Sequence, residues 1–490
     1  MVAARGGCGV REQPSDITHA ARGVGLAVQH GMTRARIETF VVWMGLAAAC
    51  GGDPPAEPDP DGDDGDDTGE STGASTVPDA ESDSTGSTAE VVYWRDIKPI
   101  IDARCGACHS ADGVAPFALG TYEEVSSYGE AMLAQIGAGL MPPWPVSPDC
   151  NEYLYDPSLA DAEKESITAW VELGKPEGDP ADEGEPLTIA IAVLPRIDFE
   201  VEMAEPHIAA PPVGEVDEHR CFLLDWPEAN DVYVTGYEVI PGNRKVVHHL
   251  VARIAGPDEV ADLEAQDDTD AQDGWACGAG AGMSAGGGPL LGVWVPGAGA
   301  SVLPEDTGMR IESGSKVMLN MHYNTVMGDT APDQTRVAFM VEDSVAIEGT
   351  SQFVSDPQWP IGDNMLIEAD DPESVHTFDF VTPVPITTWA GGLHMHTLGS
   401  RASLVVEHED GTRSCAFDVP RWQFGWQLGY RLATPIEITP GDRVVLECAY
   451  DNSAGNQAVV DGVPRAPQDV TWGEDTYDEM CLGFVYVTRE

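Results

Sequence analysis

Basic residues are scarce in this chain of 490: Lys+Arg number 25 against 83 Asp+Glu, a formal charge of −58. Such a field repels phosphate backbones and anionic headgroups, which excludes nucleic acid as a partner. Long apolar runs are missing too, and none approaches the roughly 20 residues of a membrane span. Contact with a membrane is therefore expected only through a lipid anchor. Hydrophobic content of 42% lies slightly below the globular range, as folded domains plus a polar segment would produce. The length accommodates roughly three domains at about 150 residues each. The ten cysteines are too few for a small disulfide scaffold and too many to be incidental, so each position carries information.

Residues Met32 to Cys50 combine a basic start, Arg34 and Arg36, with an apolar stretch from Phe40 to Ala49. That run fits a secretory signal. Leu46-Ala-Ala-Ala-Cys50 resembles a bacterial lipoprotein cleavage site, with Leu one position further from the Cys than usual. Cys50 would then carry lipid, and the protein would be exported to the periplasm or held at the outer membrane. The alternative is a buried apolar helix with a core cysteine. Residues 1–31 make poor sense ahead of a signal, so translation is expected to begin at Met32. Residues 51–90 are mostly Asp, Glu, Gly, Ser, Thr and Pro, with no Lys or Arg and almost nothing apolar. Such a segment cannot bury a core and reads as an extended acidic tether; as a calcium loop it lacks a clean Glu at the twelfth position.

Cys105-Gly-Ala-Cys108-His109 is the C-x-x-C-H signature of covalent haem attachment. Two thiols one helical turn apart add to the haem vinyl groups while the adjacent imidazole reaches the iron. A zinc half-site would need a second Cys/His pair, and none lies nearby. Met141, just before Pro142 and Pro143, is the expected second axial ligand, with Met132 as competitor on the apolar face of a helix. Ile167, Trp170, Val171 and Gly174 fit an amphipathic helix closed by glycine. This pattern resembles the closing helix of small class I cytochromes c, which implies a small all-α haem c domain over residues 91–180. Residues 175–186 read as a linker.

Beyond residue 188 the pattern changes to short β-rich runs separated by Gly, Pro and Asp turns, which predicts sandwiches or barrels. Five histidines cluster there: His248-His249, His322, and His394-x-His396. The last pair shares one strand face, a chelating arrangement. Adjacent His248 and His249 point apart on a regular strand, so both reach one metal only at a strand end or bulge.

The segments VVHHLVARI, LNMHYNT, GLHMHTLGSRASL, RVVLECAYDNS and the tail Asp478-Glu479-Met480-Cys481 together resemble the copper type II, ascorbate-dependent monooxygenases. That resemblance implies two mainly-β, jelly-roll-like sandwich domains, 188–345 and 346–490, each holding one of two copper ions across a solvent-filled cleft. His248, His249 and His322 would bind the electron-transfer copper, and His394, His396 and Met480 the copper that takes O2. A thioether favours Cu(I), the form that must meet O2. The family's cysteine pairs imply disulfides Cys448–Cys481 and Cys221–Cys277. Cys150 and Cys415 are left either bridging domains or free.

Departures narrow the substrate. Peptide-amidating members carry an Arg where this chain has Gly392, and Asn and Tyr where it has Leu482 and Phe484, so peptidylglycine is not the expected substrate. Trp422, Phe424 and Trp426 alternate as on one strand face, lining either a pocket or the core. His207, His219, His376 and His408 fit no cluster and read as surface. The expectation is a copper monooxygenase that hydroxylates a C–H bond of an organic substrate with O2. Electrons would come from an ascorbate-like reductant or redox protein through the fused haem. The alternative is a redox or copper-binding electron-transfer protein that performs no hydroxylation.

Overall fold

The computed structural model describes residues 90–490 except 112, 114, 189–190, 213–215, 278–289, 326–327, 461–462, 474–476 and 490. The expected signal, Cys50 and the tether lie outside the described residues. No helix among the described residues is long and apolar enough to cross a membrane.

Residues 91–180 form mainly helices. Thr121 caps Tyr122–Ser127: its side chain accepts from the Glu124 amide at 3.3 Å while the Glu124 carboxylate accepts from the Thr121 amide at 3.0 Å. Helix Asp161–Glu172 buries Ile167 and Trp170, which lie one above the other at i, i+3. It stops where Gly174 turns the chain at φ +81°, a conformation that glycine adopts without strain. Both residues join Tyr93, Ile97, Ile101 and Val125 in one core. The expected linker is not free, because residues 176–184 fold back on the first helix. Tyr93 N donates to Pro176 O and Gly184 N to Trp94 O, each at 3.0 Å.

Residues 144–155 leave this helical cluster and enter the β-region. Tyr153–Leu154 pairs antiparallel with Tyr430–Ile438. Val146 sits in the β-core, Ser147 N donates to Asp418 O at 2.7 Å, and Cys150 is disulfide-bonded to Cys415. The bridging alternative for these cysteines is therefore the one adopted.

The rest is two sandwiches sharing one layer. A ten-stranded sheet runs through both, and its halves meet where Ile347–Val354 pairs in parallel with Thr307–Ile311. Over one half packs a five-stranded sheet, with Lys316–Asn324 flanked by Asp217–Asp225 and Val247–Ala255. Phe222, Leu250, Leu319 and Phe339 fill the space between. A four-stranded sheet made of Ser374–Val381, Arg443–Tyr450, Gly399–Glu407 and Arg413–Val419 covers the other half. Leu404, Phe417, Leu446 and Val485 fill that second core. Each of these side chains is worth about 1.5–3 kcal/mol by burial.

Candidate metal centres

The five-stranded sheet brings three histidines together. His322 pairs with His249 and Tyr323 with Val247, so His248 is an extra residue in the ladder. This bulge is the irregularity that adjacent histidines need in order to face one point. One ligand nitrogen from each ring lies within 4.8 Å of the others. His249 Nδ1 is 3.3 Å from His248 Nδ1 and 3.1 Å from His322 Nδ1. Two metal–nitrogen bonds of about 2.0 Å at a near-tetrahedral angle place their donors about 3.3 Å apart, so the triad fits an ion.

The opposite edge of His322 is fixed. Its Nε2 lies 2.9 Å from Asp217 Oδ1, which also accepts from Asn324 Nδ2 at 2.6 Å. Burial pushes the Asp217 carboxyl up, yet the contact with His322 prevails and holds it below the usual range. A carboxylate there fixes Nε2–H and leaves Nδ1 as the ligand atom. His248 is pushed down to about 4, by burial first and the His322 charge second. His249 lies well below its ordinary value, chiefly through burial, with neighbouring imidazoles including His394 adding to it. Neutral imidazoles are the form that binds metals.

His394 ends strand Ile386–His394 and pairs with Leu482, two residues from Met480. His394, His396 and Met480 are all fully buried. Gln427 Nε2 donates to Phe424 O at 2.9 Å, which turns Oε1 toward the imidazole, where it accepts from His394 Nδ1. His394 Nε2 then has no hydrogen-bond partner among the described residues. A buried nitrogen without a hydrogen bond calls for an explanation, and a bound ion supplies one. His396 Nδ1 lies 3.0 Å from Asp478 O, which directs its Nε2 the other way.

Glu479 ties the His-x-His loop to the methionine tail. Its carboxylate accepts from His396 N at 2.8 Å and Leu398 N at 2.6 Å, and burial still pushes it up to about 8. Tyr450 Oη donates to Met480 O at 2.7 Å, and Cys448–Cys481 is a disulfide, as is Cys221–Cys277. Sequence reasoning did not single out Asp217, Gln427 or Glu479 for these supporting roles. Only Glu479 carried a signal, by adjoining Met480.

The two sandwiches adjoin beside the second ligand set. Val251 and Leu290 of the first sandwich pack against Met480 and Leu482 of the second in one apolar cluster. Trp422, Phe424 and Trp426 do not share a strand, because residues 421–429 form an irregular loop with a turn at Phe424–Gly425. Trp422 is core and donates to His396 O at 3.1 Å, whereas Trp426 lines a cavity. The four histidines read as surface have structural contacts instead. His207 is 6% exposed and 3.1 Å from Glu218, and His219 stacks on His322 at 4.4 Å. His408 bonds Asp442 at 3.0 Å, and half-buried His376 lies 5.9 Å from the Tyr450 ring. A Cβ at Gly392 would fall 2.6 Å from both Leu428 O and the Phe484 ring, so Phe484 fills the space of any side chain there.

In the helical segment Cys105 and Cys108 are free thiols just past helix Lys98–Arg104. Burial pushes Cys105 up to about 12, and His109 Nδ1 is 3.1 Å from Phe117 O. Cys108 borders the same cavity as Pro142 and Pro143, the residues after Met141. Met132 packs against the helical core, the expected place for the competing methionine.

Residues 379–488 match the family model of the copper type II ascorbate-dependent monooxygenase C-terminal domain. The match spans His394, His396 and Met480. No curated protein matches the chain. Solved structures resemble it only distantly. An infectious bursal disease virus VP2 subviral particle is 11% identical, with TM-score 0.16, covering 60% of this chain and 72% of that one. A Paenibacillus xanthan lyase is 9% identical, with TM-score 0.14, covering 64% and 28%.

Proposed function

We propose that this protein is a copper monooxygenase that converts a substrate C–H bond to C–OH. Each turnover takes one O2, two electrons and two protons and releases one water. The carrying observation is the pair of ligand sets on adjoining sandwiches, one of them fully buried with the bare Nε2 of His394. His248, His249 and His322 would hold one copper through Nδ1. His394, His396 and Met480 would hold the other, the thioether favouring Cu(I). Bound copper supplies O2 activation and one-electron transfer. The chain's own part is to hold those donors, keep water out and fix imidazole tautomers through Asp217, Gln427 and the Asp478 carbonyl.

Cys105, Cys108, His109 and Met141 would hold a haem c. The thiols and imidazole fit it, being unbridged, adjacent and open to a cavity at Cys108. A haem held there would supply one-electron transfer from an ascorbate-like reductant or redox protein. The disulfides fit an oxidising compartment outside the cytoplasm. A lipid on Cys50 would keep the protein at a membrane.

The test is metal and haem content, with ascorbate-driven O2 uptake, on protein exported with haem-attachment machinery. Two coppers, one covalent haem and O2 uptake abolished by Met480→Ala are expected. Haem without copper, or full uptake in Met480→Ala, refutes the reading. Two coppers that cycle without O2 uptake identify an electron carrier instead.

A further inference from the structure

A cavity of about 310 Å³ lies where the helical segment meets both sandwiches. Small-molecule sites begin at roughly this size. Its wall is mainly apolar, with Trp144, Leu291, Val295, Trp426 and Phe484, and it contains no Asp or Glu among the described residues. Cys108 reaches it from the helical segment and Gln427, the partner of His394, from the second sandwich.

Arg431 is the anomaly in this wall. Its guanidinium donates to Val302 O and is half-buried, with desolvation disfavouring its charge and no carboxylate opposing that effect. The two buried arginines among the described residues are paired: Arg220 lies 3.2 Å from Asp270 and Arg253 lies 2.8 Å from Glu259. Arg104, also in the cavity wall, is neutralised by Glu163 at 3.1 Å. Taking a cation out of water without a partner is costly, so an unpaired arginine in an apolar chamber marks the place of an anion. Guanidinium matches carboxylate geometry with parallel hydrogen bonds.

We propose that this cavity binds a carboxylate carried on an apolar body, with Arg431 as its anion partner. The inference needs neither copper and stands apart from the monooxygenase reading. The carboxylate has two possible sources of the same chemistry: a propionate of a haem attached at Cys105 and Cys108, or a free organic acid entering as ligand.

The experiment uses the full exported protein with haem attached, as wild type, Arg431→Gln and Arg431→Lys. Octanoate and octanol are titrated by calorimetry, and the haem reduction potential is measured. If a free acid is the ligand, octanoate binds wild type about tenfold more tightly than octanol. Arg431→Gln then abolishes that preference and Arg431→Lys restores part of it. If a propionate is the ligand, neither probe binds. The haem potential falls in Arg431→Gln, because the lost cation had disfavoured the oxidised iron, and stays near wild type in Arg431→Lys. No octanoate preference together with an unchanged potential overturns the proposal, as does a preference that survives Arg431→Gln. Should Arg431→Gln not fold, the octanoate-to-octanol ratio in wild type decides the free-acid case, and Arg431→Met replaces Arg431→Gln in the potential measurement.

Discussion

Replacing Gln427 by Leu tests how the His394 site is held. In the native protein Gln427 Nε2 is anchored on Phe424 O at 2.9 Å, so its oxygen accepts the His394 Nδ1 proton. Without that acceptor the N–H is buried and unpaired in either tautomer, because Nε2 has no partner among the described residues either. Metal binding at Nε2 fixes the proton on Nδ1 and draws charge from the ring, which strengthens the need for an acceptor there, so the loss weighs more on the bound state. An unsatisfied buried donor costs about 1–3 kcal/mol. That converts to about a 5- to 150-fold loss of affinity, in line with the roughly 10–100-fold typical when an outer partner of a metal-bound histidine is removed. Competitive Cu(I) titration against a chromophoric chelator measures it. The site that includes His394 should loosen by that factor while the His248–His249–His322 site keeps its affinity. Unchanged affinity at both sites in a folded Gln427→Leu protein would refute the tautomer argument and the assignment of Nε2 as the ligand atom.

Acidification should destabilise the metal-free protein. His248 is pushed below its ordinary 6.5 to about 4, and His249 and His394 lie well below it, all chiefly by burial. Glu479, pushed up to about 8, opposes this as a single group against three, so the unfolded chain still binds more protons in that window and stability falls as pH drops from about 6.5 toward 4. Denaturant unfolding at a series of pH values checks this, and a flat profile over that window contradicts it. Trp170→Ala, which removes a fully buried ring from the helical core, should cost about 3–5 kcal/mol by the same method. Cys150→Ser opens a crosslink between residues 265 apart and should free the segment around Tyr153. The loss is at most about 5 kcal/mol, read as faster proteolysis between the helical cluster and Tyr153.

Much of the donor arrangement was legible in the sequence, because it rests on local spacing. The C-x-x-C-H motif, the His394-x-His396 alternation and the Gly174 stop each lie within a few residues, where backbone periodicity fixes which side chains are neighbours. The sequence also stated the condition for His248 and His249, a bulge, and the sheet supplies it opposite His322 and Tyr323. What tertiary structure alone decided involves partners far apart in the chain. Residues 144–155 left the helical cluster to cover the edge of a sheet, because Tyr153–Leu154 supplies the hydrogen bonds an exposed edge strand lacks. The aromatic alternation at 422–426 mimicked a strand, but with no neighbour to pair with it became an irregular loop, sending Trp422 to the core and Trp426 to the cavity. Asp217, Gln427 and Arg431 gained their meaning only when folding placed one beside His322, one beside His394 and one in an apolar wall without a carboxylate. Spacing along the chain reports which donors are available; burial and pairing across it determine which of them are left needing a ligand.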